Sequence, residues 1–241
     1  MLLVESTGEK GGCGKSIFAQ ILASYFGMRE WRWRGIDTDP VNKQLETLGE
    51  ERVTGINLQT SGHWIDAEVE KFGNLVGEAM QSGEVDAIIV DLGAAQLGLV
   101  DRALRDIGLD SWIGRGITRV YAYSIVASNQ SLTTLANNMT NLDGRPDEHW
   151  LVVRNGKDGA LDSYNNGSIV RPHLLSTGAY EIDVEAFPNP SIFKRWAESG
   201  QLIHEFVATT PSFTAGSMMT TWAKRIYAQL DSFGPFQGVK Q

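Results

Sequence analysis

The order of predicted elements indicates an α/β fold, a doubly wound and mostly parallel sheet with helices on both faces. Apolar segments of strand length alternate along the chain with segments of helical spacing, which implies right-handed crossovers between parallel strands. The run Ala87–Val90 is apolar without alternation, which is typical of a strand buried on both faces of a sheet. A glycine-rich stretch joins the first apolar run, Met1–Val4, to a segment with helical spacing.

The individual elements follow from the same patterns in chain order. Strands are expected at 1–6, 31–37, 87–91, 117–126, 149–154 and 180–187. Helices are expected at 16–27, 64–82, about 129–142 and 217–233. Residues 156–168 are rich in Gly, Asp, Asn and Ser, so a surface loop is expected there. The chain shows no internal repeat, low-complexity tract or interdomain linker, and a single domain over 1–241 is therefore expected.

The composition is that of an ordinary globular protein. Hydrophobic residues make up 42% and charged residues 21% of the 241 residues, enough for one sizeable core. A single cysteine excludes an internal disulfide and suits a reducing compartment. No apolar run approaches the ~18 residues of a membrane span, and the first residues form a predicted strand and not a secretory signal. We therefore expect a cytoplasmic protein. A net charge of −8 argues against an overall basic nucleic-acid binder.

The glycine-rich stretch has the composition of a phosphate-binding loop. It consists of Gly8-Glu9-Lys10-Gly11-Gly12-Cys13-Gly14-Lys15-Ser16, between a predicted strand and a predicted helix. Glycines let successive backbone N–H groups turn towards a polyphosphate, Lys15 would reach the β and γ phosphates, and the Ser16 hydroxyl would ligate Mg²⁺. The new helix adds its positive N-terminal end. The sequence therefore predicts a nucleotide site at Gly11, Gly12, Cys13, Gly14, Lys15 and Ser16.

The loop departs from the usual P-loop pattern in two places. Glu9 replaces the first glycine, and a second lysine, Lys10, precedes Gly11. In this form the loop resembles the deviant Walker A motif of the ParA/MinD family of P-loop ATPases. The resemblance implies that Lys10 is catalytic, because it would cross a nucleotide-sandwich dimer and touch the other subunit's phosphates as an arginine finger does. A solvated loop lysine is the alternative. Cys13 fills the variable position as a small loop residue and not as a nucleophile.

Acidic residues follow two predicted strands. Asp91 closes the apolar run 87–90, where a Walker B aspartate would hold Mg²⁺ through water. The segment Gly35-Ile36-Asp37-Thr38-Asp39-Pro40-Val41-Asn42 resembles the family's switch I motif. The resemblance implies that Asp39 is catalytic and orients the attacking water, while Asp37 supports the Mg²⁺ shell. The expected metal residues are thus Ser16, Asp37 and Asp91. An Asx turn at Asp39 is the alternative, because Asp and Pro favour turns.

Two positions are candidates for contact with the base. Asn155 follows the strand 149–154 and is similar to the asparagine with which ParA-like proteins hydrogen-bond the adenine edge. An amide offers both a donor and an acceptor, although an ordinary residue at the start of a loop is a nearly equal alternative. Phe187 and Pro188 lie at the end of another predicted strand, 180–187, and this pair would wall the base. The resemblance implies ATP as the nucleotide, and no guanine-specific aspartate motif is apparent.

Further comparison within the family narrows the resemblance. The segment Ile36–Asn42 is most similar to plasmid-borne TraL and StbB proteins, ATPases associated with conjugal transfer and plasmid stability. Asp91-Leu92-Gly93-Ala94-Ala95 resembles switch II, with Gly93 able to flex when the γ-phosphate leaves. A single cysteine excludes a reductase of the nitrogenase-iron-protein type, which needs two cysteines from each subunit. The segment 217–233 carries apolar residues at helical spacing, namely Met218, Trp222, Ile226, Leu230 and Phe233. Few basic residues lie near them, so core packing is expected and a MinD-type membrane helix is the alternative.

The resemblance implies an ATP-hydrolysing, Mg²⁺-dependent switch that forms an ATP-dependent homodimer. It would position a plasmid or other cargo through a DNA-binding adaptor protein or conjugation components. Direct DNA binding would depend on scattered basic residues, namely Lys194, Arg195, Lys224 and Arg225. Two other functions stay open. One is a metabolic ligase or synthase that phosphorylates a carboxylate, and the other is an ATP-binding scaffold that hydrolyses ATP weakly or not at all.

Overall fold

The described part of the chain is built on a sheet of seven parallel strands. The computed structural model describes residues 1–8, 11–60, 63–94, 96–108, 111–113, 115–127, 133, 135–136, 148–166 and 169–238. The strands are β1 (Leu2–Thr7), β2 (Trp33–Asp37), β3 (Val53–Gly55), β4 (Gln59–Thr60), β5 (His63–Trp64), β6 (Ala87–Asp91), β7 (Thr118–Ile125), β8 (Glu148–Asn155) and β9 (Tyr180–Val184). The sheet order is β3-β2-β6-β1-β7-β8-β9 with every neighbouring pair parallel, while β4 and β5 form a separate antiparallel pair. The predicted α/β fold is confirmed.

Helices cover both faces of this sheet. Those described are α1 (Lys15–Met28), α2 (Asp66–Ser82), α3 (Leu97–Asp106), α4 (Asp162–Asn166), α5 (Val170–Ser176), α6 (Pro190–Ala197), α7 (Ile203–Thr209), α8 (Phe213–Leu230) and α9 (Gly234–Gln237), with 3₁₀ turns at Leu45–Leu48 and Gly156–Asp158. On one face α1, α6, α7 and α8 pack in a core with strand residues such as Val4 and Ile89. On the other face α2 and α3 pack against Leu3 and Ile88, and α4 and α5 pack around Tyr123. Because strand side chains alternate between faces, both faces are apolar.

The strand order creates a switch point beside β1. The connection that leaves β1 leads to β2 on one side, whereas β7 and the later strands are added on the other side. In open parallel sheets, such a point leaves a crevice outside the carboxyl ends of the strands, where ligands bind. The glycine-rich loop follows β1, and Asp37 and Asp91 end β2 and β6. The predicted site residues of these three segments therefore lie at one edge of the sheet.

Two predicted elements differ by about three residues or more at one or both ends from those observed, and the other described boundaries shift less. The strand expected at 180–187 ends at Val184, and the Phe187 ring packs in the core 5.5 Å from the Trp222 ring. The helix expected at 217–233 begins earlier, at Phe213, because the Ser212 side chain accepts a hydrogen bond from the Ala215 N–H and caps it. Of the apolar positions in 217–233, Trp222, Ile226, Leu230 and Phe233 lie in the core and Met218 packs against it, in keeping with the expected core packing. Within the described ranges no helix, α8 included, is both long and apolar enough to cross a membrane.

The segment 156–168, predicted as a surface loop, is largely exposed but is helical over most of its described length. Asn155 caps the 3₁₀ turn Gly156–Asp158, and α4 follows. Leu161 and Tyr164 are both buried, and a spacing of three residues places them on one side of a helical turn. Their burial outweighs the polar composition of the segment. Of the helix expected at about 129–142, only residues 133, 135 and 136 are described, and all three are helical.

Candidate nucleotide site

The glycine-rich loop has a backbone conformation that requires glycine at three positions, the first of which is Gly8, with a φ of +152°. Gly12 has a φ of +73° and Gly14 a φ of +97°, both in the left-handed region. A β carbon on Gly14 would lie 2.3 Å from Asn155 Nδ2, so that position also lacks room for a side chain. Helix α1 begins at the next residue, Lys15. The loop thus combines a glycine backbone with a helix N-terminus, the arrangement that binds phosphate.

The first turn of α1 is tied to the strand that precedes the loop. The Ser6 hydroxyl donates to the Lys15 carbonyl at 2.7 Å, and Lys15 is only 6% exposed. Cys13 is fully buried, and burial raises the pKa of its thiol. A raised thiol pKa opposes formation of the nucleophilic thiolate, in keeping with a small loop residue. Lys10 and Glu9 lie outside the described residues, so the action of Lys10 in trans stays a prediction.

Asp91 is a buried acid whose carboxylate forms no hydrogen bond of standard geometry within the described residues, although the Ser16 hydroxyl lies near enough to act on it. It is 0% exposed at the end of β6, where its neighbours in the sheet are Asp37 on β2 and Ser6 on β1. Burial, and then the charge of Asp37, raise the pKa of Asp91 well above its ordinary value, while the nearby Ser16 hydroxyl and Lys15 ammonium act to lower it. A carboxylate in such surroundings favours a cation beside it.

These groups fit a Mg²⁺ ion that arrives with a nucleotide. Magnesium keeps several waters and is held by one or two carboxylates together with substrate phosphates. Asp91 offers two oxygens that form no hydrogen bond of standard geometry in the described residues, and Ser16 and Lys15 are close enough to influence its pKa. In the described ranges no group of three or more His, Cys, Asp or Glu side chains could hold a metal by itself. Phosphate oxygens would therefore have to complete the shell.

Asp37 also shapes the segment that follows β2. Its Oδ1 accepts from the Asp39 N–H at 3.0 Å, and its Oδ2 accepts from the Leu45 and Glu46 N–H groups at 3.0 and 3.2 Å. Burial raises the pKa of Asp37 to about 6, although these backbone bonds act to lower it. The carboxylate therefore holds the turn after β2 and the start of the 3₁₀ turn Leu45–Leu48. Support of the Mg²⁺ shell by Asp37 stays a prediction.

Asp39 forms an Asx turn, the alternative given by the sequence. Its Oδ1 accepts from the N–H groups of Val41 and Asn42 at 2.9 and 3.0 Å. The charge of Asp39 also acts to raise the pKa of Asp91. Both turn bonds use the same oxygen, so the turn is compatible with orientation of water by Oδ2. That catalytic role stays a prediction.

The two expected base contacts lie in different surroundings. Asn155 lies against the loop, where its Nδ2 donates to the Cys13 carbonyl at 2.9 Å and its Oδ1 accepts from the Lys157 N–H at 3.1 Å. Pro188 is exposed and lines a cavity of about 360 Å³ with residues of α8, among them Met218 and Trp222. Asn155 is thus brought to the phosphate loop. Binding of a base by either residue stays a prediction.

The structure adds two polar residues, Thr38 and Gln96, to which the sequence analysis gave no role. Gln96 Oε1 accepts from the Thr38 hydroxyl at 2.8 Å and from the Gly93 N–H at 2.9 Å. The Thr38 N–H also donates to the Asp91 carbonyl at 2.9 Å. These bonds join the segment after β2 to the segment after β6. No local pattern indicates them, because Thr38 and Gln96 are 58 positions apart in the chain.

Comparison with known proteins relates this chain to others by structure. No protein-family model and no curated protein matches the sequence. MinD from Aquifex aeolicus aligns over 94% of this chain and 96% of its own, with 18% identity and a TM-score of 0.54. A variant of McdA from Cyanothece in complex with ATP aligns over 100% and 97%, with 12% identity and a TM-score of 0.54. A protein assigned to plasmid partition in Borrelia burgdorferi B31, bound to AMPPNP, aligns over 96% and 98%, with 12% identity and a TM-score of 0.51. The chain therefore has the α/β fold of the P-loop ATPases of the MinD and ParA type.

Proposed function

We propose that this protein is a Mg²⁺-dependent ATPase of the ParA/MinD type. The observation that carries the proposal is the Asp91 carboxylate, which is fully buried beside the first turn of α1, near the Ser16 hydroxyl, and forms no hydrogen bond of standard geometry among the described residues. A buried charge of this kind is costly unless a cation joins it. The phosphate-binding loop beside it supplies a place for the triphosphate that would bring the cation. The structural neighbours bound to ATP and AMPPNP support an adenine nucleotide.

Each residue of the proposed site has a distinct task. Gly11, Gly12, Cys13 and Gly14 supply loop backbone for the phosphates, and Lys15 reaches the β and γ phosphates. Ser16 and Asp91 would hold Mg²⁺, and Asp37 would support the Mg²⁺ shell. When bound, the ion neutralises charge on the transferring phosphoryl group. Asp39 orients the attacking water through the oxygen that the Asx turn does not use. Lys10 acts on the nucleotide of a second copy, and Asn155 and Pro188 contact the base.

We further propose that the ATPase works as a dimerising switch. ATP would bring two copies together around the nucleotides, and hydrolysis would separate them again. The likeness to MinD and to a plasmid partition protein supports a role in positioning cargo. The likeness of the segment after β2 to TraL and StbB favours plasmid stability or conjugal transfer in the cytoplasm. A DNA-binding adaptor or a conjugation component would then connect the protein to its cargo.

Calorimetric titration with ATP in the presence of Mg²⁺ tests the site assignment. Lys15→Ala is expected to weaken binding by about 10- to 100-fold, because it removes the charged donor at the phosphates. Lys224→Ala removes an exposed lysine of α8 and is the matched control, with unchanged affinity expected. Wild-type protein without affinity for Mg·ATP, or equal affinities in the two variants, would overturn the assignment.

ATP turnover with added DNA, anionic lipid vesicles or small carboxylic acids separates the three functions that the sequence left open. Turnover without any carboxylic acid supports the switch. Turnover that requires such an acid and yields an acyl phosphate supports the ligase. Binding without turnover under any condition supports the scaffold and contradicts the proposed ATPase.

A further inference from the structure

We infer that Gln96 is a positioning residue that makes the segments after β2 and β6 respond as one unit. The segment after β2 carries Asp39, and the segment after β6 begins at Asp91. These are the two segments whose carboxylates would hold water and metal, so the meaning of Gln96 for catalysis rests on the proposed ATPase function. The link itself follows from hydrogen bonds within the described residues.

The Gln96 amide oxygen bridges the two segments in a buried position. Gln96 is 8% exposed, directly before the first residue of α3. Its Oε1 accepts from the Thr38 hydroxyl at 2.8 Å and from the Gly93 N–H at 2.9 Å. An amide oxygen has two lone pairs, so one atom satisfies both donors at once. Burial strengthens such bonds, because water competes poorly there.

Thr38 extends the bridge to the end of β6. It is fully buried, and its backbone N–H donates to the Asp91 carbonyl at 2.9 Å. Its hydroxyl also lies 3.0 Å from that carbonyl, so the single hydroxyl hydrogen is shared between Asp91 and Gln96. Thr38→Val would keep the shape of the side chain and remove the hydroxyl from both contacts.

Gly93 provides a second and independent way to break the bridge. A β carbon on Gly93 would lie 2.8 Å from Gln96 Cδ and 2.9 Å from Oε1. Gly93→Ala would therefore push the Gln96 amide aside while leaving the Gly93 N–H in place. The far end of a glutamine can move, so this change need not disturb the fold.

The coupling must be reciprocal if the bridge is real, because linkage between two sites acts equally in both directions. Loss of the Gln96 acceptor should loosen the Thr38 and Asp39 amides, although their own acceptors, Asp91 and Asp37, remain. Loss of the Thr38 hydroxyl should loosen the Gly93 amide, although its acceptor Gln96 remains. A residue that only caps α3 would show neither effect.

Hydrogen exchange of single amides, measured by NMR without nucleotide, tests both directions. Gln96→Met removes the acceptor at similar size and is expected to speed exchange at Thr38 and Asp39 about fivefold, the factor that corresponds to one net hydrogen bond. Thr38→Val is expected to speed exchange at Gly93 by a similar factor. Thr38→Ser keeps the hydroxyl and should stay within about twofold of wild type. Exposed Gln81→Met is the control for the chemical change, and amides of β7 report any loss of global stability.

Faster exchange that is confined to residues 91–97 in Gln96→Met would overturn the inference, and so would an unchanged Gly93 amide in Thr38→Val. Gly93→Ala gives the same readout at Thr38 and Asp39 if Gln96→Met does not fold. In the ATPase assay, Gln96→Met and Thr38→Val should lower kcat about fivefold and raise the Kd for Mg·ATP by no more than the same factor, and Thr38→Ser should restore kcat. Unchanged kcat in both would overturn the catalytic consequence. A wild-type protein that binds no ATP would instead overturn the proposed function, while the exchange data would still decide the link.

Discussion

Asp91→Asn should change stability and ligand response in opposite directions. Asp91 is 0% exposed, and in the described part of the protein neither carboxylate oxygen forms a hydrogen bond of standard geometry, although the Ser16 hydroxyl lies nearby. An unsatisfied buried polar group costs about 1–3 kcal/mol, and a charged group costs more. The opposing charge of Lys15 reduces this cost, so we expect the nucleotide-free variant to be more stable than wild type by about 2 kcal/mol. For a chain of 241 residues this corresponds to a rise in Tm of about 4–8 °C.

Thermal unfolding at one pH, with and without Mg·ATP, measures both effects. At 100 times its Kd a ligand stabilises the wild type by about 2.7 kcal/mol, and Asp91→Asn should lose most of that gain. Asp86→Asn is the matched control, because Asp86 directly precedes Ala87, the first residue of β6, whereas Asp91 is its last residue. The Asp86 carboxylate accepts three hydrogen bonds from Arg32, so this change should lower stability by up to about 1 kcal/mol and leave the ligand response intact.

Two results would refute the reasoning. A nucleotide-free Asp91→Asn protein that is less stable than wild type would mean that the Asp91 charge is compensated within the protein. Equal stabilisation of both proteins by Mg·ATP would mean that Asp91 does not take part in binding the metal and nucleotide.

Three further substitutions test other parts of the molecule. Asp39→Ala should keep ATP binding, slow hydrolysis and trap a dimer visible by size-exclusion chromatography with ATP, whereas wild-type turnover would leave Asp39 as a turn residue only. Lys10→Ala should bind ATP without dimerising. Mixing this variant with Asp39→Ala should restore part of the ATPase activity, because one of the two sites in the heterodimer keeps both Lys10 and Asp39. If heterodimers form and no activity returns, Lys10 does not act in trans. Burial raises the pKa of Glu5 from 4.5 to about 7, although the Arg119 charge acts to lower it. Between these two pH values the native state binds more protons than the unfolded chain. The free energy of unfolding should therefore fall by about 3 kcal/mol as the pH rises from 4.5 to about 7. Glu5→Gln should remove that slope in urea unfolding, and an unchanged slope would contradict the assignment.

The fold was predictable where one local pattern determined an element. The apolar strand at Ala87–Asp91 and the helix after the glycine loop needed no tertiary information. Two of the helices that the sequence analysis did not predict, α3 and α6, nevertheless have local sequence patterns typical of helices. Asn189 caps α6 with Pro190 at its start, a combination that marks a helix N-terminus, and α3 has buried residues at the helical spacing Leu97, Val100 and Leu104. Strand β3 has only three residues, too few to show any period.

The site was predictable as a set of strand ends and not as a set of contacts. Asp37 and Asp91 follow apolar strands, and the carboxyl ends of parallel strands meet at one edge. The lack of a hydrogen bond of standard geometry at Asp91 among the described residues depends on its burial, which no spacing expresses. The bond between Thr38 and Gln96 joins segments that meet only after the β6 strand is inserted between β2 and β1. Asp39 shows that a turn and a functional position need not exclude each other, because the turn uses only one carboxylate oxygen.

The charges of Asp37, Asp39 and Asp91 explain why the two segments of the proposed site would move closer when Mg·ATP binds. Asp37 and Asp39 both raise the pKa of Asp91, so their charges oppose the close approach of the segments after β2 and β6. The bonds of Thr38 and Gln96 hold those segments together, with about 1 kcal/mol of net stabilisation for each bond. Repulsion among partly buried carboxylates is also a matter of a few kcal/mol. Since the two contributions are of similar size and opposite sign, a bound cation that cancels the repulsion would be sufficient to change the balance. Under the proposed function, Mg·ATP would thus tighten both segments together, and release of the ion and phosphate would loosen both.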